Sequence, residues 1–201
     1  MLRLNNGKPV DNKIYRQVAR LHIDNLDQSF LATLGETFLS EMYRALDASS
    51  STVLLVERHE GDVIGFVTGG SSMGPVYKTM LIRVWVWAVP LGLRLLSPKR
   101  FKRVFDILKY SRADGDESLP SHELLSIAVG SQARGTGVSA KLYASLVEHF
   151  RSDDVKNFKI IVGEALTPAH KFYTKMGAKP HSSLEVHAGE TSTLYIHTIV
   201  D

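Results

Sequence analysis

The run ELLSIAVGSQARGTGVSAKLY, residues 123–143, constrains this chain more than any other stretch. Its first part, Glu123–Val129, reads as a buried strand. A loop holding Gly135 and Gly137 follows, and a helical pattern then runs from about Gly137 to Phe150. A glycine loop that feeds a helix N-terminus suits an anion. The first backbone N–H groups of a helix have no partner within it and carry partial positive charge. Glycine lacks Cβ, so phosphate oxygens can approach the main chain there. Arg134 adds a charge-assisted donor. The question is whose phosphate the loop takes.

Two familiar patterns touch this chain and fit it poorly. Gly135-x-Gly137-x-x-Ala140 satisfies the dinucleotide fingerprint and suggests an NAD(P)-binding oxidoreductase. That fingerprint needs its first glycine close to the strand end and an acidic residue about 20 positions on. Here Gly130–Arg134 separate Val129 from Gly135, and the next strand ends near Glu164. Too little chain follows for further βαβ units. Gly70-Ser71-Ser72-Met73-Gly74 matches the nucleophile elbow of α/β-hydrolases. The preceding 70 residues already hold two helical patterns, so they leave no room for the sheet such an elbow requires.

The rest of the chain reads as mixed α/β. Ile14, Val18, Leu21 and Ile23 share a helical face within residues 11–26. Ser29 caps a second helix, along which Leu34, Phe38, Met42 and Tyr43 recur. Residues 52–58 and 63–68 form a hairpin around HEGD. Two helices, about Val76–Leu96 and Pro98–Ser111, then make residues 71–120 an insertion in a single domain of 201 residues. Lys156–Val162 is a further strand. Thr167-Pro168 starts a helix, with threonine as cap, that stops at Gly177. Strands at about 183–187 and 192–199 close the chain as a hairpin.

Composition narrows the function classes. There is no cysteine, so disulfides, thiol nucleophiles and Cys-based metal sites are excluded, and a reducing cytoplasm is expected. A net charge of +3 is too small to argue for nucleic acid. Arg94, Lys99, Arg100, Lys102 and Arg103 read as a solvated helix face. Residues 80–96 are apolar, yet Val84–Leu93 is their longest uncharged run, and a span needs roughly 20 residues. Interfacial membrane contact through Trp85 and Trp87 is a minor alternative. No histidine spacing suggests a metal.

A second reading of the loop takes in more residues. Gln132-x-x-Gly135-x-Gly137 after an apolar strand resembles the acetyl-CoA-binding segment, Q/R-x-x-G-x-G/A, of the GNAT N-acetyltransferase superfamily. One strand later, AHKFYTKMGA at 169–178 resembles the family's second signature, A-x-x-F/L-Y-x-K-x-G-F. Leu166 stands where the family often has asparagine, and Ala178 replaces the terminal phenylalanine. The resemblance implies a mixed, mostly antiparallel central sheet of six or seven strands flanked by helices, with a helical insertion before the central strand. It implies acetyl-CoA as co-substrate, no metal, and a small-molecule or peptide amine as acceptor. The main chain of Ile127, Ala128 and Val129 would pair with pantetheine as an added strand does. The loop residues Gln132, Ala133, Arg134, Gly135, Thr136, Gly137, Val138 and Ser139 would cradle the pyrophosphate.

Acetyl transfer to an amine needs a base, because an alkyl amine with a pKa of about 10 is mostly protonated at neutral pH. Glu123 begins the central strand, at the position matching a catalytic glutamate of some family members. His122 is its rival, but strand alternation points it to the other face. Tyr173 matches the tyrosine that protonates the departing thiolate. Tyr77, Trp85 and Trp87 suggest an apolar or sugar-stacking wall on the acceptor side, with core packing or a homodimer contact as the competing reading. A GNAT-like module that binds acetyl-CoA without catalysis is the main alternative.

Overall fold

A computed structural model describes residues 2–3, 10–26, 29–82, 119–187 and 190–200. The expected helix at 98–111, the basic cluster, Trp85 and Trp87 lie outside these residues.

The first helix, α1 (Asn12–Asn25), starts where Asp11 accepts from the Lys13 N–H at 2.9 Å. Its buried face carries Tyr15, Val18, Ala19 and His22. Ser29 caps the next element as expected, accepting from the Ala32 N–H, but the element is only a 3-10 turn, Phe30–Leu34. Gly35, at φ 88°, ends it, and α2 (Glu36–Ala48) begins anew. One expected helix is therefore two, because a positive φ interrupts the helical backbone.

Strands β1 (Leu2–Arg3), β2 (Thr52–His59) and β3 (Asp62–Gly70) run antiparallel, with the β2–β3 hairpin turning at Glu60-Gly61. Helix α3 (Gly74–Ile82) follows. Strand β4 (His122–Val129), helix α4 (Val138–Ser152), strand β5 (Asn157–Gly163) and helix α5 (Thr167–Lys175) come next. The hairpin β6 (Lys179–His187) and β7 (Glu190–Thr198) completes the fold. Helix α5 is capped from Leu166, one residue earlier than expected, so Thr167 already lies in the helix with Pro168 in its first turn.

The strands make one sheet in the order β1-β2-β3-β4-β5-β7-β6, and only β4 and β5 are parallel. Helices α1 and α2 cover one face, above Val18, Leu39, Tyr43 and Phe66. Helix α4 covers the other, above Leu142, Leu146, Phe150 and Phe158. Packing on the α4 side is tight. A Cβ added to Gly69 would meet the Phe150 ring at 2.8 Å and Leu146 at 2.9 Å, so only glycine lets β3 pass beneath α4.

What positions the site is a break in the middle of the sheet. Strand β4 pairs with β3 from Glu123 to Val129, with Leu125 bulged out of the ladder. With β5 it pairs only at His122–Leu124, opposite Phe158–Ile160. Beyond Leu124 the two strands diverge, and the β5-facing edge of β4 is open.

Candidate active site

A cavity of about 650 Å³ fills the opening. Leu124–Val129 form one wall, so the predicted Ile127, Ala128 and Val129 stand along it. Ile161 and Val162 of β5, with Leu166, Phe172 and Tyr173, form the opposite wall. The unpaired main chain of β4 between these walls offers hydrogen-bonding groups to an extended, amide-bearing ligand. Leu166 therefore contributes apolar surface where the family often has a polar asparagine.

The glycine loop continues from the end of β4. The Gly130 N–H donates to the Ile64 carbonyl at 2.9 Å, and Ser131–Ala133 make a 3-10 turn. The Thr136 hydroxyl donates to the Ala133 carbonyl at 2.7 Å, which closes the loop. Gly135 and Gly137 take φ of 78° and 87°. A Cβ at either would meet nothing within 4 Å, so here backbone conformation and not crowding calls for glycine. Gly137 is the N-cap of α4 and offers no capping side chain, leaving the N–H groups of the first turn to a ligand. Ser139, in that turn, reaches the cavity.

Gln132, Ala133, Arg134 and Thr136 face a second concavity of about 840 Å³, shared with Leu21, Asp24, Asn25 and His59. Arg134 Nη2 donates to Asn25 Oδ1 at 2.6 Å, which fixes the arginine to the end of α1. The loop thus lies between two hollows, with its glycines exposed.

The two expected proton-transfer residues are placed differently. Tyr173 is buried, lines the cavity and packs beside Phe172, Tyr143 and Tyr195 at ring distances of 5.3, 6.1 and 6.5 Å. Burial pushes its hydroxyl above the usual tyrosine range, so it holds its proton at neutral pH. Glu123 is half-buried opposite Gly70 on β3 and the buried Lys159 on β5, one residue before the cavity wall begins at Leu124. His122 packs edge-on against Phe150 at 5.3 Å on the α4 side, and burial lowers its pKa.

A buried polar chain that no local motif announces stands behind the α1–α2 side of the cavity. Ser126 Oγ shares a 2.8 Å hydrogen bond with Thr68 Oγ1 and also bonds to the Tyr43 hydroxyl. Tyr43 Oη and His22 Nδ1 lie 2.6 Å apart, and His22 Nε2 lies 2.9 Å from Ser29 Oγ. All five side chains line the cavity, and Ser126 is less buried than Thr68, Tyr43 and His22. Burial lowers His22 to about 4, so the imidazole is neutral and one of its nitrogens accepts a hydrogen bond. The one sequence signal was His22 itself, a histidine on the apolar stripe of α1. Around this chain Leu31, Leu34, Phe38, Met42, Met73 and Tyr77 complete the wall. Among the described residues no group of His, Asp and Glu could hold a metal ion, and no helix is long and apolar enough to cross a membrane.

A mixed sheet that parts at its central strand, beside a glycine-capped helix, is the architecture of the GNAT acetyltransferases. Residues 96–178 match the family model described as Acetyltransferase (GNAT) family. Among similar solved structures is an aminoglycoside 6'-N-acetyltransferase complexed with coenzyme A, at 11% identity and TM-score 0.61, covering 100% of this chain and 97% of that one. An N-acetyltransferase from Staphylococcus aureus Mu50 is similar at 13% identity and TM-score 0.60, over 96% and 97%. The ribosomal-protein-S18-alanine N-acetyltransferase from Escherichia coli follows at 10% identity and TM-score 0.57, over 96% and 92%. No curated protein matches the chain in sequence. These likenesses establish the fold, and they leave the dinucleotide reading of Gly135-x-Gly137-x-x-Ala140 without support. The glycines belong to a GNAT loop, and the added residues Gly130–Arg134 form its 3-10 turn.

Proposed function

We propose that the protein is an N-acetyltransferase that moves an acetyl group directly from acetyl-CoA to an amine, in the cytoplasm and without a metal. The divergence of β4 from β5, leading to the glycine-capped start of α4, carries this reading. It offers an open strand edge for the pantetheine amides and an anion site for the pyrophosphate in one continuous path. Val138 and Ser139 supply first-turn N–H groups, and Arg134 a nearby cation.

In the transfer, the amine lone pair forms a bond to the thioester carbonyl carbon. The C–S bond breaks, and its electron pair leaves on sulfur. Tyr173 gives the thiolate its proton, a role its cavity position supports. Glu123 takes the proton shed by nitrogen. Its place just outside the cavity wall suits transfer through a water. Ser126 favours a second reading of that step, because it lines the cavity and is backed by Tyr43 and the neutral His22.

Thermal unfolding with and without acetyl-CoA tests the binding. A ligand at 100 times its Kd stabilises by about 2.7 kcal/mol, and no shift at millimolar acetyl-CoA rejects the proposal. For the roles, Tyr173→Phe is expected to slow turnover by about 10²-fold or more, the usual contribution of a general acid. Glu123→Gln is expected to do the same and to alter the acidic limb of the pH–rate profile. Wild-type kinetics in Glu123→Gln moves the base to the Ser126 chain.

A further inference from the structure

We infer that the acceptor is a lipophilic monoamine, an alkyl or arylalkyl amine whose single nitrogen meets Ser126 while its body lies on the wall of Leu31, Leu34, Phe38, Met42, Met73 and Tyr77. This rests on the acetyl-transfer reading above and names its substrate class.

The charge pattern of the cavity carries the inference. Among its described lining residues there is no aspartate, glutamate, lysine or arginine. The one buried carboxylate among the described residues, Asp47, is outside the lining and accepts from the Tyr15 hydroxyl at 2.7 Å. An amine that reacts must enter or become neutral, so one nitrogen costs little in such a space. A second ammonium would be buried without a counter-ion, which costs several kcal/mol. A polyamine or an amino sugar with several ammonium groups needs carboxylates along the wall, and an amino acid needs a cation for its own carboxylate. The described wall provides neither.

The polar part of the cavity is equally selective. Ser126, Tyr43, Thr68, His22 and Ser29 bond to one another, so they are already satisfied as a set. Ser126 is half-buried, as is Ser29, whereas Thr68, Tyr43 and His22 are buried, and Ser126 is the member on β4. It puts a hydroxyl on the strand that the pantetheine amides would follow, beside the apolar wall. A hydroxyl beside an apolar wall orients an N–H group and rewards an apolar remainder. Each buried methylene of that remainder contributes about 0.8 kcal/mol.

The test first establishes acetyl-CoA binding by thermal shift, then measures thiol release from acetyl-CoA with phenethylamine and hexylamine. Spermidine, kanamycin and an alanine-initiated tetrapeptide are the competitors. The expected result is a kcat/KM for the two apolar amines about 100-fold above the others. Equal or faster release with any of the charged acceptors overturns the inference. So does release with no amine at all while the acetyl-CoA shift is normal, a result that spares cofactor binding. Loss of the shift itself overturns both readings together. Leu31→Asp and Met73→Asp place a carboxylate on half-buried parts of the wall. Each is expected to raise the KM for phenethylamine about 10-fold, with the acetyl-CoA shift unchanged. Unchanged KM in both aspartate variants, with a normal shift, removes this wall as the acceptor site.

Discussion

The two faces of the sheet are built to different ends. On the α4 side, Tyr143, Phe150 and Phe158 pack edge to face or tilted against their neighbours, with ring centroids 5.0–6.1 Å apart. Tyr143 also bonds His197 Nδ1 at 3.0 Å. That face is closed and aromatic. On the α1–α2 side the same sheet meets leucines, methionines and a hydrogen-bonded polar chain, and between them lies the cavity. Packing is complete on the first face and left open on the second. Because β3 and β4 belong to both faces, the closed face holds the open one in shape.

The largest expected effect tests the closed face. Phe150→Ala is expected to lower stability by about 3–5 kcal/mol, read as a fall in denaturant midpoint, while KM values of the remaining folded enzyme stay near wild type. A KM change as large as the stability loss would mean that the two faces are not separable.

The next concerns the polar chain. His22 has a folded pKa of about 4, below its unfolded value of 6.5. The unfolded state therefore binds more protons between these values, and the neutral histidine contributes stability that is fully present above pH 6.5. It is lost as pH falls toward 4, a total of about 3 kcal/mol. His22→Gln is expected to flatten the dependence of Tm on pH in this window. His122 and His197 are also lowered by burial and share the sign, so part of the slope persists in the variant.

Gly137→Ala introduces a Cβ at φ 87°, a strain of about 1 kcal/mol. It should weaken acetyl-CoA binding several-fold in calorimetry and leave acceptor KM alone. The smallest effect is expected on the open face itself. Tyr77→Phe and Leu31→Met conserve volume and should shift Tm by less than Phe150→Ala does, with any change confined to acceptor KM. A stability loss there comparable to Phe150→Ala would show that the cavity wall is ordinary core.

What could be read from the sequence was what is written locally. Residues 123–143 carry strand, loop and helix cues within a few residues, residues 169–178 carry helix and stop cues, and strand β4 and helix α5 stand on either side of the opening. Glycine at 135 and 137 announced positive φ, and it is found there. The break at Gly35 was missed because apolar periodicity continues across it from Leu34 to Phe38. The bulge at Leu125 was invisible because it depends on how β3 and β4 pair, not on their residue types. The chain from Ser29 through His22 and Tyr43 to Ser126 and Thr68 joins α1, α2, β3 and β4. Only tertiary structure brings those side chains together. Glu123 was legible as a strand-start carboxylate, but its neighbour Lys159 lies on another strand.

The sheet is also, in effect, two half-sheets joined at a short seam. Among the described residues, three register pairs, His122–Leu124 with Phe158–Ile160, are the only strand pairing between β1-β2-β3-β4 and β5-β7-β6. The amides of Leu125–Val129 that point away from β3 have no strand beside them, so they should exchange with solvent deuterium faster than their neighbours that face β3. A ligand laid along this edge would slow them and stitch the two halves into one continuous sheet, so occupancy would register as protection along a single strand.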